Sequence, residues 1–253
     1  MTTMKQILSI LFAALLFASC DPDKNKEVGD ARVTLRFETR VGTEPFAIGD
    51  VYIDNLGYRY RAETFMSYLS MIELVRANGE VVLVKDFYVA NFNTTPQLSV
   101  NVKEGDYTKV RFNLGVPEAY NKNVDPTTYP NSHPLSVLGS QGLFWQWNTG
   151  YIFTKFDGKA DLEGVEGNLL LSPFAFHCGD DPLFRTVELD LGNSFIAGDS
   201  QKTLTVVLQV NKLLHGDEDQ IDLEIDYLTH TSGNFLLARR FTDNFSKAFS
   251  LEE

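Results

Sequence analysis

The sequence predicts an all-β domain, an antiparallel β-sandwich or barrel-like fold with a short C-terminal helix. Three observations lead there. Apolar residues recur at every second position in several separate segments, an Asn-Gly pair joins two such segments, and helical spacing of aromatics occurs only near the C-terminus.

Taken in order from the N-terminus, Met1 to Cys20 form a lipoprotein signal, with Lys5 as the positive n-region, Ile7 to Phe17 as the apolar h-region and Ala18-Ser19-Cys20 as the cleavage site. The apolar run is too short to span a bilayer, which takes about 20 residues. Cleavage before Cys20 and acylation of its sulfur would anchor the mature protein to a membrane without crossing it. Asp21 to Asp30, polar and containing a proline, is a flexible tether outside the fold. Residues 31–253 hold no second linker, and their length of about 220 residues suits a single β domain.

Within that domain Val33, Leu35 and Phe37 alternate with Thr34 and Arg36, and Val110, Phe112 and Leu114 with Arg111 and Asn113. Leu204, Val206, Leu208 and Val210 lie on one side of a third segment. These are half-buried strands. Asn78-Gly79 between "MIELVRA" and "EVVLVKD" predicts a two-residue type I′ hairpin, whose central residues both need positive φ. The stretch "PEAYNKNVDPTTYPNSHP" is too long and polar for a simple turn and is a candidate functional loop. In "GDEDQIDLEID" the alternation of Ile221, Leu223, Ile225 and Tyr227 with Asp222, Glu224 and Asp226 predicts a strand with a solvated acidic face. Phe241, Phe245 and Phe249 stand at helical spacing, which predicts a helix over Phe241 to Phe249 capping one end of the sandwich.

The net charge of −12 argues against nucleic acid as a partner, because phosphate-neutralising Lys/Arg clusters are missing. None of the GxSxG, HExxH, P-loop or GxGxxG motifs occurs, so the sequence displays no enzyme signature and no catalytic residue is assigned. Of the 2 cysteines, acylation of Cys20 would leave Cys178 without a disulfide partner in the chain, as a buried thiol or a soft ligand. In "SPFAFHC" an extended backbone places Phe174, Phe176 and Cys178 on one face and Ala175 with His177 on the other. His177 is therefore the candidate metal ligand and Cys178 a core residue. Trp145 and Trp147, the only 2 tryptophans, share one side if "WQW" is extended, with Gln146 opposite.

The order "HPLSVLGSQGLFWQWNTGYIFTKFDGK", then "FAFHCG", framed by "FMSYLSMIELVRANGEVV", "VKEGDYTKVRFNLGV" and "ARRFTDNFSKAF", resembles the MbnP-like copper-binding domain family over nearly all of Leu35 to Phe249. That family is named for a periplasmic partner of the copper chelator methanobactin, and is related to copper-repressible surface proteins of methane oxidisers. The resemblance implies an exported β-rich protein of the bacterial cell envelope that binds copper through histidine. It also implies a tryptophan oxidised to kynurenine beside those ligands, in some members by a partner dihaem enzyme of the MauG/cytochrome c peroxidase type. Trp145 and Trp147 are then kynurenine precursors or pocket walls. Indole is itself a poor ligand, with an N–H donor and no in-plane lone pair. Copper binders of the wider group pair the modified tryptophan with two histidines, and only His133 and His177 lie near the motif in sequence, which makes His133 the expected second ligand. His215 and His230 are read as histidines of strand ends or turns. The alternative to copper is a non-metal surface module that binds carbohydrate or protein through exposed aromatics.

Overall fold

The structure is a computed structural model that describes residues 30–145, 150–164, 167, 169–216 and 219–252. Residues 1–29, which include the expected signal segment with Cys20 and most of the expected tether, and Trp147 lie outside the described residues. Asp30, placed in the tether by sequence, is the first residue of a strand.

The strands in chain order are β1 (Asp30–Val41), β2 (Glu44–Pro45), β3 (Tyr52–Ile53), β4 (Arg59–Arg76), β5 (Val81–Asn91), β6 (Gln97–Lys103) and β7 (Gly105–Leu114). They continue as β8 (Thr154–Asp161), β9 (Ser172–Cys178), β10 (Arg185–Ile196), β11 (Gln201–Gln209), β12 (Leu228–Thr229) and β13 (Phe249–Leu251). The helices are α1 (Glu118–Asn121), α2 (Asn211–Leu214) and α3 (Phe235–Lys247). A five-stranded sheet has the order β13-β11-β1-β2, with β6 also on β1, and an eight-stranded sheet the order β10-β7-β4-β8-β9-β12, with β3 and β5 also on β4. The all-β, sandwich-like expectation holds. The alternating residues of β1 and β7 point inward, where Phe37 meets Phe112 edge-on at 5.7 Å between the two sheets.

The sheets are mixed rather than purely antiparallel. β1 pairs in parallel with β11, from Arg32 opposite Gln201 to Arg40 opposite Gln209, and β12 pairs in parallel with β9. A parallel neighbour needs a long crossover, and here everything from β2 to β10 lies between β1 and β11 in the chain.

Three local expectations are corrected. The Asn78-Gly79 hairpin forms between β4 and β5, but only Gly79 of the pair has positive φ, at +87°. The N–H of Gly79 donates to the Arg76 carbonyl (2.9 Å), and the N–H of Arg76 to the carbonyl of Glu80 (2.9 Å). This is a three-residue loop closed by a left-handed glycine, not a type I′ turn. The Asn78 side chain supports it by accepting from the N–H of Glu80 at 2.9 Å.

The acidic segment around Asp222 is not a strand. It is a turn in which the Asp222 carbonyl accepts from Ile225 (3.1 Å) and Asp226 (2.7 Å), while its carboxylate takes the N–H of Glu224 (2.9 Å). Ile221 and Leu223 are buried and Ile225 and Tyr227 exposed, so the alternation ends there.

The C-terminal helix starts at Phe235, capped by Asn234, whose side chain accepts from the N–H of Leu237, and it stops at Lys247. Phe241 and Phe245 lie on its buried face, but Phe249 is buried as a β13 residue opposite Leu208. α3 covers the inner face of β9, where Phe241 stacks on Phe176 with centroids 4.8 Å apart. Cys178 sits fully buried on that same inner face, and burial pushes its thiol up to about 12.

The long polar stretch after β7 forms α1 and a series of tight turns fastened to the sheet by two buried tyrosines. Tyr68 Oη donates to the carbonyl of Pro134 (2.8 Å) and Tyr151 Oη to that of Leu135 (2.5 Å). Among the described residues no helix is long and apolar enough to cross a membrane.

Candidate metal centre

The outer face of β9 carries Ala175 and His177, as its alternation requires, while Phe174, Phe176 and Cys178 face inward. β12 adds a parallel edge to this strand, with Leu228 opposite Ala175 and Thr229 opposite Phe176. One further step along the chain brings His230 beside His177. Their imidazoles stack with centroids 4.7 Å apart and planes 10° from parallel, which is the spacing of neighbouring strands, about 4.8 Å.

Hydrogen bonds hold the two histidine backbones at that register. The Thr231 hydroxyl donates to the carbonyl of His177 (3.0 Å) and accepts the N–H of Gly179 (2.9 Å). Thr231 adopts φ +60°, a conformation a β-branched residue takes only when its surroundings impose it. The N–H of Thr231 in turn donates to Thr229 Oγ1 (3.1 Å), whose hydroxyl donates to the carbonyl of Asn234 (2.9 Å) at the start of α3.

Trp145 completes the constellation. It sits near the tip of a small hairpin in which Phe144 bridges Tyr151, the N–H of Ile152 donates to the carbonyl of Leu143 (3.0 Å) and that of Trp145 to the carbonyl of Gly150 (3.2 Å). The hairpin docks on the end of β9, where the N–H of Phe153 donates to the carbonyl of Cys178 at 2.7 Å. Gly179 makes that approach possible. A Cβ there would lie 2.2 Å from the carbonyl oxygen of Tyr151 and 2.9 Å from Cα of Ile152. The segment Tyr151 to Phe153 and the end of "FAFHCG" therefore meet backbone to backbone. As a result the Trp145 indole, only 6% exposed, has its ring centroid 6.1 Å from those of both His177 and His230.

Electrostatics favour the neutral imidazole of His230. Desolvation, then the neighbouring His177 ring, lower the His230 pKa below the ordinary imidazole range, and the charge of Asp157 only partly opposes this. Asp157 on β8 accepts a hydrogen bond from His177 Nε2 at 2.7 Å, and its second oxygen lies 3.6 Å from Nζ of Lys155. A cavity of about 290 Å³ opens against Trp145 and His230, with Lys122, Asp180, Thr231 and Phe235 among its walls. A larger one, about 440 Å³, lies at the β8–β9 turn, but its described lining includes no histidine.

The structure does not bring His133, the expected second ligand, into this group. Its ring stacks on Tyr129 (4.5 Å, 14°) and packs against Phe87 of β5, and its Nδ1 already accepts the N–H of Leu135 at 3.1 Å. Strands β4 and β8 separate β5 from the strand of His177. His215 caps the end of α2 and pairs with Gln220. Trp147 falls outside the described residues, and so does Cys20.

The residue that sequence reasoning missed is His230. The two-residue β12 is too short to show a period, and only its parallel pairing brings the histidine to the site. Among the described residues no group of three or more His, Cys, Asp and Glu side chains forms a metal cage. A metal here would take two imidazoles and complete its coordination from elsewhere.

Comparison with known proteins bears on the same region. A family model described as MbnP matches residues 30–232, a span that includes Trp145, His177 and His230. Among solved structures, MbnP from Methylosinus trichosporium superposes with a TM-score of 0.51 at 15% identity, over 76% of this chain and 80% of that one, a likeness of fold. No curated protein matches.

Proposed function

The chain belongs to the MbnP family, and from that membership we propose that it is an exported copper-binding protein whose metal is held by His177 and His230 beside Trp145. The observation that carries this reading is the stacked imidazole pair with one indole equally distant from both rings. The donors suit copper, since imidazole is a good ligand for first-row metals of this type. Two nitrogens bound to one ion at about 2.0 Å each are no more than about 4 Å apart. Rings whose centroids lie 4.7 Å apart can reach that by side-chain rotation, because the two backbones are already at ladder distance. The lowered pKa of His230 keeps it in the neutral, ligating form.

Indole cannot supply the third donor, but kynurenine, with its aryl amine and carbonyl, can. In this reading Trp145 is the precursor, oxidised by a partner of the dihaem MauG type, and Trp147 is the second candidate. The protein binds and hands on copper rather than catalysing a reaction. It does so at the cell envelope, held to a membrane by lipid on Cys20, so Cys20→Ala should release or mislocalise it.

The test is copper content of the purified mature chain, with folding checked by circular dichroism. His177→Ala and His230→Ala should each lose the metal, and His133→Ala should keep it. Intact-mass measurement reports whether tryptophan is modified. Full copper content and affinity in folded His230→Ala would refute the pair. A wild type that binds no copper after tryptophan oxidation would favour the non-metal binding module.

A further inference from the structure

We infer that Asp157 is a positioning residue for this site: it holds neutral His177 in the tautomer protonated at Nε2, so that Nδ1 is the nitrogen presented to the metal. The inference rests on the reading of His177 and His230 as the metal pair, and concerns which atom of His177 that pair uses.

The geometry starts from the β8–β9 ladder, in which His177 stands opposite Lys155 and Asp157 opposite Ala175. Residues displaced by two positions across an antiparallel pair share a face and reach each other diagonally. Asp157 uses that diagonal, with Oδ1 2.7 Å from His177 Nε2. A carboxylate accepts and cannot donate, and a neutral imidazole has a single N–H, so a bond of this length places the proton on Nε2 and the lone pair on Nδ1.

One further contact orients the carboxylate, and burial shelters the bond. Oδ2 of Asp157 lies 3.6 Å from Lys155 Nζ, which holds the carboxylate between the lysine and the histidine. The side chains of His177 and Asp157 are only 16% and 24% exposed, so water competes weakly for the bond. Two rings also stand against His177, His230 stacked on it and Trp145 at 6.1 Å. Coordination through Nε2 would require Asp157 to leave. Coordination through Nδ1 keeps it, and a carboxylate on the far nitrogen makes the imidazole a stronger donor.

The test begins without metal. Nitrogen NMR of the ¹⁵N-labelled mature chain, at a pH well above the ordinary imidazole value of about 6.5, should show His177 protonated at Nε2. In Asp157→Asn the amide can donate as well as accept, so the preference should weaken or reverse, whereas Asp157→Glu should restore part of it. Copper titrated into the same proteins should bind Asp157→Asn about 10- to 100-fold more weakly than wild type, at unchanged stoichiometry. A wild-type His177 protonated at Nδ1 would overturn the proposal without any variant needing to fold. So would an Asp157→Asn protein with wild-type tautomer and copper affinity. If the tautomer is as expected but folded His177→Ala keeps its copper, the metal reading is what fails, and Asp157 then orients a structural histidine.

Discussion

Replacing Gly179 by alanine tests the contact that assembles the site. The added Cβ would stand 2.2 Å from the Tyr151 carbonyl oxygen, 2.9 Å from Cα of Ile152 and 3.0 Å from N of Phe153. All three are backbone atoms, so no side chain can rotate out of the way. A carbon–oxygen contact relaxes at about 3.5 Å, and the hairpin carrying Trp145 must therefore back away from β9 by about 1 Å. Overpacking of this kind costs about 1–3 kcal/mol. The movement also strains the Phe153 N–H to Cys178 and Gly179 N–H to Thr231 hydrogen bonds, 2.7 and 2.9 Å long, worth about 0.5–1.5 kcal/mol each. Loss of glycine's unfolded-state entropy returns about 0.4–1 kcal/mol. The net expectation is a destabilisation of about 1–5 kcal/mol, which for a domain this size lowers Tm by about 2–20 °C. Urea unfolding monitored by circular dichroism and tryptophan fluorescence measures it. The control is Gly233→Ala in the His230 loop, where a Cβ meets nothing within 4 Å, so only the entropy gain remains and the change should be neutral to stabilising by up to about 1 kcal/mol. Equal midpoints for Gly179→Ala and wild type would refute the reasoning that this glycine exists for the backbone contact.

Thr231→Val keeps the shape and the strained φ but removes the hydroxyl that bridges His177 and Gly179. It should cost about 1–3 kcal/mol, because the partly buried N–H of Gly179 loses its acceptor, and should weaken copper binding. Unchanged denaturant midpoint and affinity would remove Thr231 from the account. The lowered pKa of His230 means that the unfolded chain takes up its proton first as pH falls. Stability should therefore decline as pH drops from about 6.5 toward the lower folded value, and a pH series of urea midpoints in His230→Ala should show a flatter decline; a steeper one would contradict the assigned direction. Copper affinity should fall with acid as well, since only neutral imidazole ligates. Cys178, buried and with its thiol pushed up to about 12, should resist a thiol reagent at pH 8 until the chain is denatured, and prompt labelling of the native protein would show that its burial is wrong.

What the sequence determined by itself is what depends on neighbours along the chain. Period-two alternation settled that Val33, Leu35 and Phe37 face the core and that His177 points away from Phe176 and Cys178, because successive side chains of a strand must alternate. The Asn78-Gly79 pair marked the position of a hairpin, though the turn type depended on the φ of a single residue, Asn78. Local reading misled where a spacing outlived its element. Phe249 continues the interval of Phe241 and Phe245, yet α3 has ended and its ring is buried by strand pairing instead.

Tertiary structure alone decided what joins distant segments. The parallel partnership of β1 with β11 unites residues more than 150 positions apart, and no local period encodes which strand becomes a neighbour. The same is true of the site. His133 is near the tryptophan block in sequence but packs on Tyr129 across two strands, whereas His230, far along the chain, reaches His177 because two residues of β12 pair in parallel with β9. A ligand set is a set of distances in space. A two-residue strand carries too little pattern to announce which distances it will close.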